Sequence, residues 1–175
     1  MTTPAFPTFR YCPVCGSAHF EPHDFKSRRC RDCGFTFYQN ASASVVGVIV
    51  NEQLEILVGR RAFEPARGTL DLPGGFVDAG ETLEEAVMRE LKEETGADVT
   101  PLRWLFSLPN SYRYSGIDIP TVDSFFLCRL TSPQQLQAGD DVDRLFWMPL
   151  KELKAQEFGL PSISRSIERL KTLFL

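Results

Sequence analysis

"GGFVDAGETLEEAVMRELKEETGA", residues 74–97, sets a glycine turn before an amphipathic segment and another glycine after it. Thr82 followed three residues later by Glu85 is a capping-box pattern, and Gly96 stands where helices stop, so the spacing predicts a helix over residues 83–95. At about 100° per residue from Leu83, the apolar Ala86, Val87 and Leu91 fall in one stripe roughly 140° wide. Glu90, Glu93 and Glu94 fall in the same stripe, while Glu84, Glu85, Met88, Lys92 and Thr95 take the opposite side. Three carboxylates on a packing face repel one another, and burying one unpaired is costly. The pattern therefore calls for a cation.

Oxygen-only ligands clustered this tightly suit a hard divalent ion, magnesium or manganese, which bridges carboxylates and a polyphosphate while keeping several waters. Arg89, one residue before Glu90 and four before Glu93, is close enough to hold a carboxylate in position. The competing reading is a solvated acidic helix. The interleaving of acids with Leu83, Val87 and Leu91, behind a glycine-rich entry, argues against it.

From Gly75 the chain reads glycine, five residues, Glu81, seven residues, Arg89-Glu90-Leu91, Lys92, Glu93-Glu94, Thr95, Gly96. This resembles the Nudix box of Nudix hydrolases, departing only at Ala97, where the family prefers a larger aliphatic residue; the preceding "TLDLPGGFVD" resembles the family's approach to the box. The resemblance implies an α+β fold, an α/β/α sandwich with a mixed β-sheet. It implies water attack on a phosphorus of a nucleoside diphosphate derivative, with divalent ions stabilising charge and lowering the pKa of the water. Carried over, Glu90, Glu93 and Glu94 are the magnesium or manganese ligands with the Gly74 carbonyl, and any of the glutamates can be the general base. Arg89 orients the carboxylates and Glu81 braces loop and helix. The family often adds a later acid, for which "AGDDVDR" offers Asp140, Asp141 and Asp143, with Asp141 the chosen ligand and a solvated turn the alternative.

Five cysteines are unevenly placed: Cys12-Pro-Val-Cys15-Gly and Cys30-Arg-Asp-Cys33-Gly, with Cys128 alone in "SFFLCRL". Two such knuckles close a tetrahedral four-sulfur site, so the expectation is a structural zinc with no open position. Disulfides are the alternative, against which the absence of a secretory signal in "MTTPAFPTFR" stands. His19 and His23 read as surface residues and Cys128 as a core thiol. The expected organisation is a zinc ribbon over residues 1–40 and a Nudix hydrolase domain over 41–175.

The rest of the chain fits an enzyme of small molecules. At 175 residues and 43% hydrophobic content it can bury a core, and a net charge of -4 argues against sequence-independent binding to nucleic acid. The apolar run "VVGVIV" is too short to span a bilayer, so the expectation is a cytoplasmic protein without a membrane role. "SVVGVIV" and "LEILVGR" read as a hairpin joined by "NEQ"; "DVTPLRWLF", "TVDSFFLCRL" and "RLFWMPL" read as strands, and "SISRSIERLKTLF" as a helix after Pro161.

A ribbon directly before a Nudix domain resembles the zinc-containing NADH pyrophosphatases. Those usually carry a further N-terminal domain, which 175 residues cannot hold, and a "SQPWPFP"-type motif, where this chain has "SLPNSYRYSGIDIPTVDSFF". Tyr112 and Tyr114 are candidates to stack on a base or ribose, and Arg113 with Arg60, Arg61 and Arg67 to meet phosphate, although such tyrosines and arginines are also ordinary strand and surface residues. The expected substrate is a small nucleotide: ADP-ribose, NADH or a nucleotide sugar. Nucleoside triphosphates and isoprenyl diphosphate isomerisation are alternatives within enzymes. From a different class, the ribbon can bind RNA or a protein, with the Nudix domain serving as a sensor or decapping unit, since the first 40 residues hold five Lys/Arg against three Asp/Glu and include "KSRRCR", or it can join two copies in a homodimer.

Overall fold

The structure, a computed structural model, describes residues 8–131, 136–139 and 142–175. The chain divides into two compact units. One holds the chain up to Ala41 with Tyr114–Asp118; the other holds Ser42–Arg113 and Ile119–Leu175.

In the first unit, β1 (Phe20–Pro22), β2 (Ser27–Cys30) and β3 (Thr36–Tyr38) form an antiparallel meander. Its core is small: Phe20, Cys12 and Cys30 are buried, with Phe9, Phe35 and Phe37 packed against them.

In the second unit, β4 (Ser42–Ile49) is central, antiparallel to β7 (Gly74–Phe76) and parallel to β9 (Ile117–Leu130), which neighbours β8 (Val99–Tyr114). A second sheet has the order β10 (Val142–Pro149), β5 (Glu55–Arg61), β6 (Leu70–Asp71). Alternation along β4 sorts its side chains to two faces. Val45 and Ile49 pack with Ala86, Val87 and Leu91 of α1 (Leu83–Thr95). Val46 and Val48 pack with Ile163, Ile167 and Leu170 of α2 (Pro161–Phe174), which opens on Pro161 at its first turn. Helix, strands, helix: an α/β/α sandwich containing a mixed sheet.

The box helix has the expected bounds and both halves of the capping box, and the Gly96 amide closes it onto the Lys92 carbonyl. Thr95, expected on the solvent side, is buried. Its hydroxyl donates to the Leu91 carbonyl, and the amides of Gln137 and Gly139 donate to Thr95 and Glu94, so segment 136–139 closes over the last turn. The expected β4–β5 hairpin is also corrected. The two strands lie in different sheets, linked by a single bridge between Val50 and Ile56, because β7 and β9 already occupy both edges of β4. Strands β8 and β9 run longer than their apolar cores, meeting at Ser115–Gly116, whose paired positive φ angles of 49° and 79° suit a two-residue hairpin turn. No helix among the described residues is long and apolar enough to cross a membrane.

Candidate active site and metal centres

Gly74 and Gly75 bring the turn against the box helix. Gly74 has φ 155°, and a Cβ there would sit 2.1 Å from the Val45 carbonyl oxygen; a Cβ on Gly75 would sit 2.4 Å from the Glu90 carboxylate. Only hydrogen at these positions lets β7 pair with β4 while the Glu90 carboxylate lies over the strand. The Gly74 amide then donates to Glu94 Oε2 at 2.9 Å.

Arg89 gathers the acids. Its Nε donates to Glu81 Oε1 at 2.7 Å, its Nη2 to Glu81 Oε2 and to the Phe76 carbonyl at 2.9 Å, and its Nη1 to Glu90 at 2.9 Å and Glu93 at 3.2 Å. This forked geometry is one that guanidinium provides and an ammonium does not. Glu81 also accepts from the Asp78 amide, so it ties the turn to the helix, and the Arg89 hydrogen bonds hold its carboxyl down to about 2. Glu90 moves the other way: burial raises its pKa against the pull of Arg89, and the charges of Glu93 and Asp78 push in the same direction as burial. A half-buried carboxylate under like-charge pressure, with Glu94 lining the same cavity, is a donor set that a hard divalent cation fits. Glu93 stands at the rim, its side chain 60% exposed.

The cavity beside these acids has a volume of about 240 Å³. Its other wall was anticipated in part: Arg61 and Tyr112 were candidates from sequence, whereas Asp71, Asp123, Asn110 and Phe76 were not. Arg61, among the described residues the one basic side chain of the lining, is held by an ion pair to Asp71 at 2.5 Å and by the Pro65 carbonyl at 2.7 Å. Asp71 is pushed up to about 6 by burial, with Arg61 opposing. Tyr112 lies under the Arg61 guanidinium, 6.0 Å from ring centroid to charge, and meets Phe76 edge-on at 5.6 Å. The floor is a buried carboxylate, Asp123, that accepts from Ser44, Thr121, Asn110 and Ser162, joining β4, β9, β8 and α2.

Tyr112 thus reaches the cavity, while Arg60, Arg67, Arg113 and Tyr114 are exposed and not part of its lining. Arg60 instead donates to the Gly68 carbonyl. Asp141 and Asp140 lie outside the described residues, and Asp143 is exposed on β10. Asp71, Asp123, Asn110 and Phe76 were missed. The available signal was a lone aspartate in each of the apolar runs "TLDLP" and "TVDSFF", since buried acids need partners.

In the first unit, the sulfurs of Cys12, Cys15, Cys30 and Cys33 all lie within 4.8 Å of one another, and none of the five cysteines is in a disulfide. Cys12 to Cys33 is 3.7 Å and Cys15 to Cys30 is 3.6 Å. A tetrahedron with metal–sulfur bonds of about 2.3 Å has sulfur–sulfur edges of about 3.8 Å, so the cluster fits a four-thiolate ion. The Cys33 and Asp32 amides hold the Cys30 thiol down to about 6, whereas Cys15 is pushed up to about 12 and Cys33 upward by the neighbouring sulfurs and burial, so the fit to a metal rests on the sulfur geometry. Cys128, buried in the second unit, is pushed up to about 12 by that burial.

The NUDIX domain family model matches residues 40–170. Over 139 residues the chain is 32% identical to the ADP-ribose pyrophosphatase of Methanocaldococcus jannaschii, covering 78% of this chain and 79% of that protein. Over 102 residues it is 36% identical to the NAD-capped RNA hydrolase NudC of Vibrio vulnificus, a match covering 58% of this chain but 38% of that protein's length. The crystal structure of a NUDIX hydrolase from Nitrosomonas europaea has the same fold, with a TM-score of 0.68 at 23% identity over 93% of each chain. A family model spanning most of the chain, a relative matched over most of both lengths, and the sandwich carrying the glycine turn and glutamate helix lead to one conclusion: the chain belongs to the Nudix family.

Proposed function

We propose that this chain is a metal-dependent pyrophosphohydrolase cleaving the diphosphate of a nucleoside diphosphate derivative: ADP-ribose, NADH or a nucleotide sugar. The observation that carries the reading is the Arg89 fork, which ties Glu81 of the preceding turn to Glu90 and Glu93 of α1, the helix whose Glu90 and Glu94 border a cavity also lined by Arg61 and Tyr112. The M. jannaschii relative, an ADP-ribose pyrophosphatase, supports the substrate class.

Glu90, Glu93 and Glu94, with the Gly74 carbonyl, would hold magnesium or manganese. Such an ion supplies charge neutralisation on phosphate oxygens and a more acidic bound water. Arg89 fixes the direction of the Glu90 and Glu93 carboxylates, and Glu81 keeps the glycine turn docked on the helix. Arg61, pre-aimed by Asp71, offers its remaining N–H groups to phosphate oxygens, and Tyr112 completes that wall. Cys12, Cys15, Cys30 and Cys33 would hold zinc; four protein thiolates leave no open position, so its role is to fold the first unit.

The test is phosphate release, after phosphatase coupling, from NADH, ADP-ribose, nucleotide sugars, dinucleotide polyphosphates and nucleoside triphosphates with magnesium or manganese, alongside Glu94→Gln. Mononucleotide products from a diphosphate-linked substrate, lost in Glu94→Gln, are expected. Silence of the folded, zinc-loaded protein across the panel would overturn the reading.

One observation favours a second reading, an RNA-binding face on the first unit. Lys26 Nζ lies 5.8 Å from the ring centre of exposed Phe25 and 6.0 Å from that of exposed Tyr38, a cationic and aromatic grouping of the kind single-stranded nucleic acid stacks on. Salt-dependent RNA affinity lost on replacing Lys26 and Arg29 is its signature, and no binding at low salt ends it; Arg28, named with them from sequence, is buried against Phe20 and donates to its carbonyl, so it serves the fold of the unit.

A further inference from the structure

β8 ends its four-stranded sheet, with β9 as its neighbour among the described residues, and its central stretch "PLRWLFSLP", residues 101–109, reads nearly the same in both directions. About Leu105 the mirror pairs are Trp104 with Phe106, Arg103 with Ser107, Leu102 with Leu108 and Pro101 with Pro109. Edge strands are usually blunted by charge, yet Leu102 is 48% and Trp104 55% exposed, and Arg103 is the single charge between the two prolines. Where β8 meets the last turns of α2 lies a groove of about 420 Å³ lined by Leu105, Phe106, Glu168, Arg169, Thr172 and Leu173. Arg169 holds its guanidinium 5.2 Å from the centre of the Phe106 ring, and the Glu168 side chain is largely exposed. Trp104 is outside this lining, although it stands two residues before Phe106 and so shares its face of the strand.

We propose that this face joins two copies of the chain, with their β8 strands antiparallel about a twofold axis at Leu105 and the Trp104 of each copy seated in the groove of the other. A strand that meets its own copy across a twofold runs antiparallel to it and sets each residue opposite its mirror position, so the surface must complement itself. The near-palindrome does so: Trp104 falls opposite the partner's Phe106, Leu102 opposite the partner's Leu108, and the prolines, which have no N–H to pair, opposite each other at the ends of the run. A different protein would impose no such mirror pattern. Opposed residues point to the same face of a sheet, so the partner's Trp104 arrives over Phe106, at the groove. The groove suits an indole. Leu105, Phe106 and Leu173 offer apolar walls, the Arg169 guanidinium a cation for the π-face, and the Glu168 carboxylate an acceptor for the ring N–H.

The experiment is sedimentation equilibrium of the full, zinc-loaded chain over a wide concentration range, for wild type, Trp104→Ala, Trp104→Phe and Leu173→Glu. Emission is followed in a Trp147→Phe background, where Trp104 is the remaining tryptophan. Trp104 and Leu173 are both exposed, so their variants should keep the wild-type Tm as monomers. Wild type is expected to dimerise, with Trp104 emission shifting to the blue as mass rises. Trp104→Ala removes two anchors per dimer and should weaken it ~10³-fold, Leu173→Glu should also weaken it, and Trp104→Phe should keep most of the affinity. A wild type that stays monomeric throughout would overturn the proposal. So would a dimer that Trp104→Ala leaves intact, which would put the interface on another face, or one weakened by Trp104→Ala but not by Leu173→Glu, which would leave the groove without its assigned occupant.

Discussion

Gly75→Ala isolates what the glycine turn does for chemistry from what it does for folding. The added Cβ would lie 2.4 Å from the carboxyl carbon and Oε2 of Glu90, where ordinary contact begins at 3.4 Å, so the carboxylate must retreat by about 1 Å. The intruder meets the end of a flexible side chain and Gly75 has no left-handed φ, so the cost to stability is small. The retreat breaks the 2.9 Å hydrogen bond from Arg89 and displaces an oxygen that, in the proposed function, binds the divalent ion; misplacement on that scale costs on the order of 10²-fold in rate. Gly74→Ala is the matched control. There the Cβ would meet the Val45 carbonyl oxygen at 2.1 Å, which is backbone and cannot swing away, at φ 155°. The expectation is a folded Gly75→Ala protein with Tm within a few degrees of wild type, kcat on ADP-ribose down about 100-fold and weaker manganese binding by calorimetry. Gly74→Ala is expected to lose its cooperative transition or most of its Tm. Gly75→Ala retaining kcat within about threefold of wild type would refute the seating of Glu90 on this glycine.

Arg89→Lys keeps a positive charge but cannot span Glu81, Glu90, Glu93 and the Phe76 carbonyl, so kcat should fall about 100-fold with little change in net charge or KM, read by steady-state kinetics. Cys30→Ser should take bound zinc, measured by elemental analysis, from one per chain toward none, and open residues 8–41 to limited proteolysis while the second unit keeps its thermal transition. Asp71 supplies a pH signature. Its pKa is raised by burial from 3.8 to about 6, so the native state binds a proton that the unfolded chain has released, and stability from this group falls as pH rises from about 4 to 6. Wild type compared with Asp71→Asn should gain up to about 3 kcal/mol between pH 7 and pH 4, and parallel Tm curves would reject the assignment. Glu81 runs in the opposite sense. Held down to about 2 by Arg89, its contribution is complete above about 4.5 and is lost as pH falls through 2, so Glu81→Gln should flatten the acid limb of the wild-type stability curve.

What was legible in the sequence is what local physics decides. The box helix is announced by a capping box, a 3.6-residue apolar period and a terminal glycine, all within sixteen residues, and its bounds follow from those signals. The cysteine cluster is announced the same way, because each knuckle places two sulfurs by the geometry of one turn and only one further closure is needed. The cavity's far wall is different in kind. Ser44 meets Asp123 because β4 and β9 pair in parallel with Ser44 opposite Asp123, seventy-nine residues along the chain, and nothing near either residue specifies that register. Arg61 meets Asp71 through the antiparallel pairing of β5 with a two-residue strand too short to carry a period. The same reasoning explains why Arg60 was as attractive from sequence as Arg61. On a strand, neighbours point to opposite faces, so one of an arginine pair faces the cavity while the other faces solvent, and only the register of β5 against β6 and β10 decides which. The acids and the turn are local and set where bond cleavage would occur, whereas the residues that would select a substrate are assembled by long-range strand pairing. A Nudix chain therefore reveals its chemistry in one stretch of two dozen residues and keeps its specificity in the sheet.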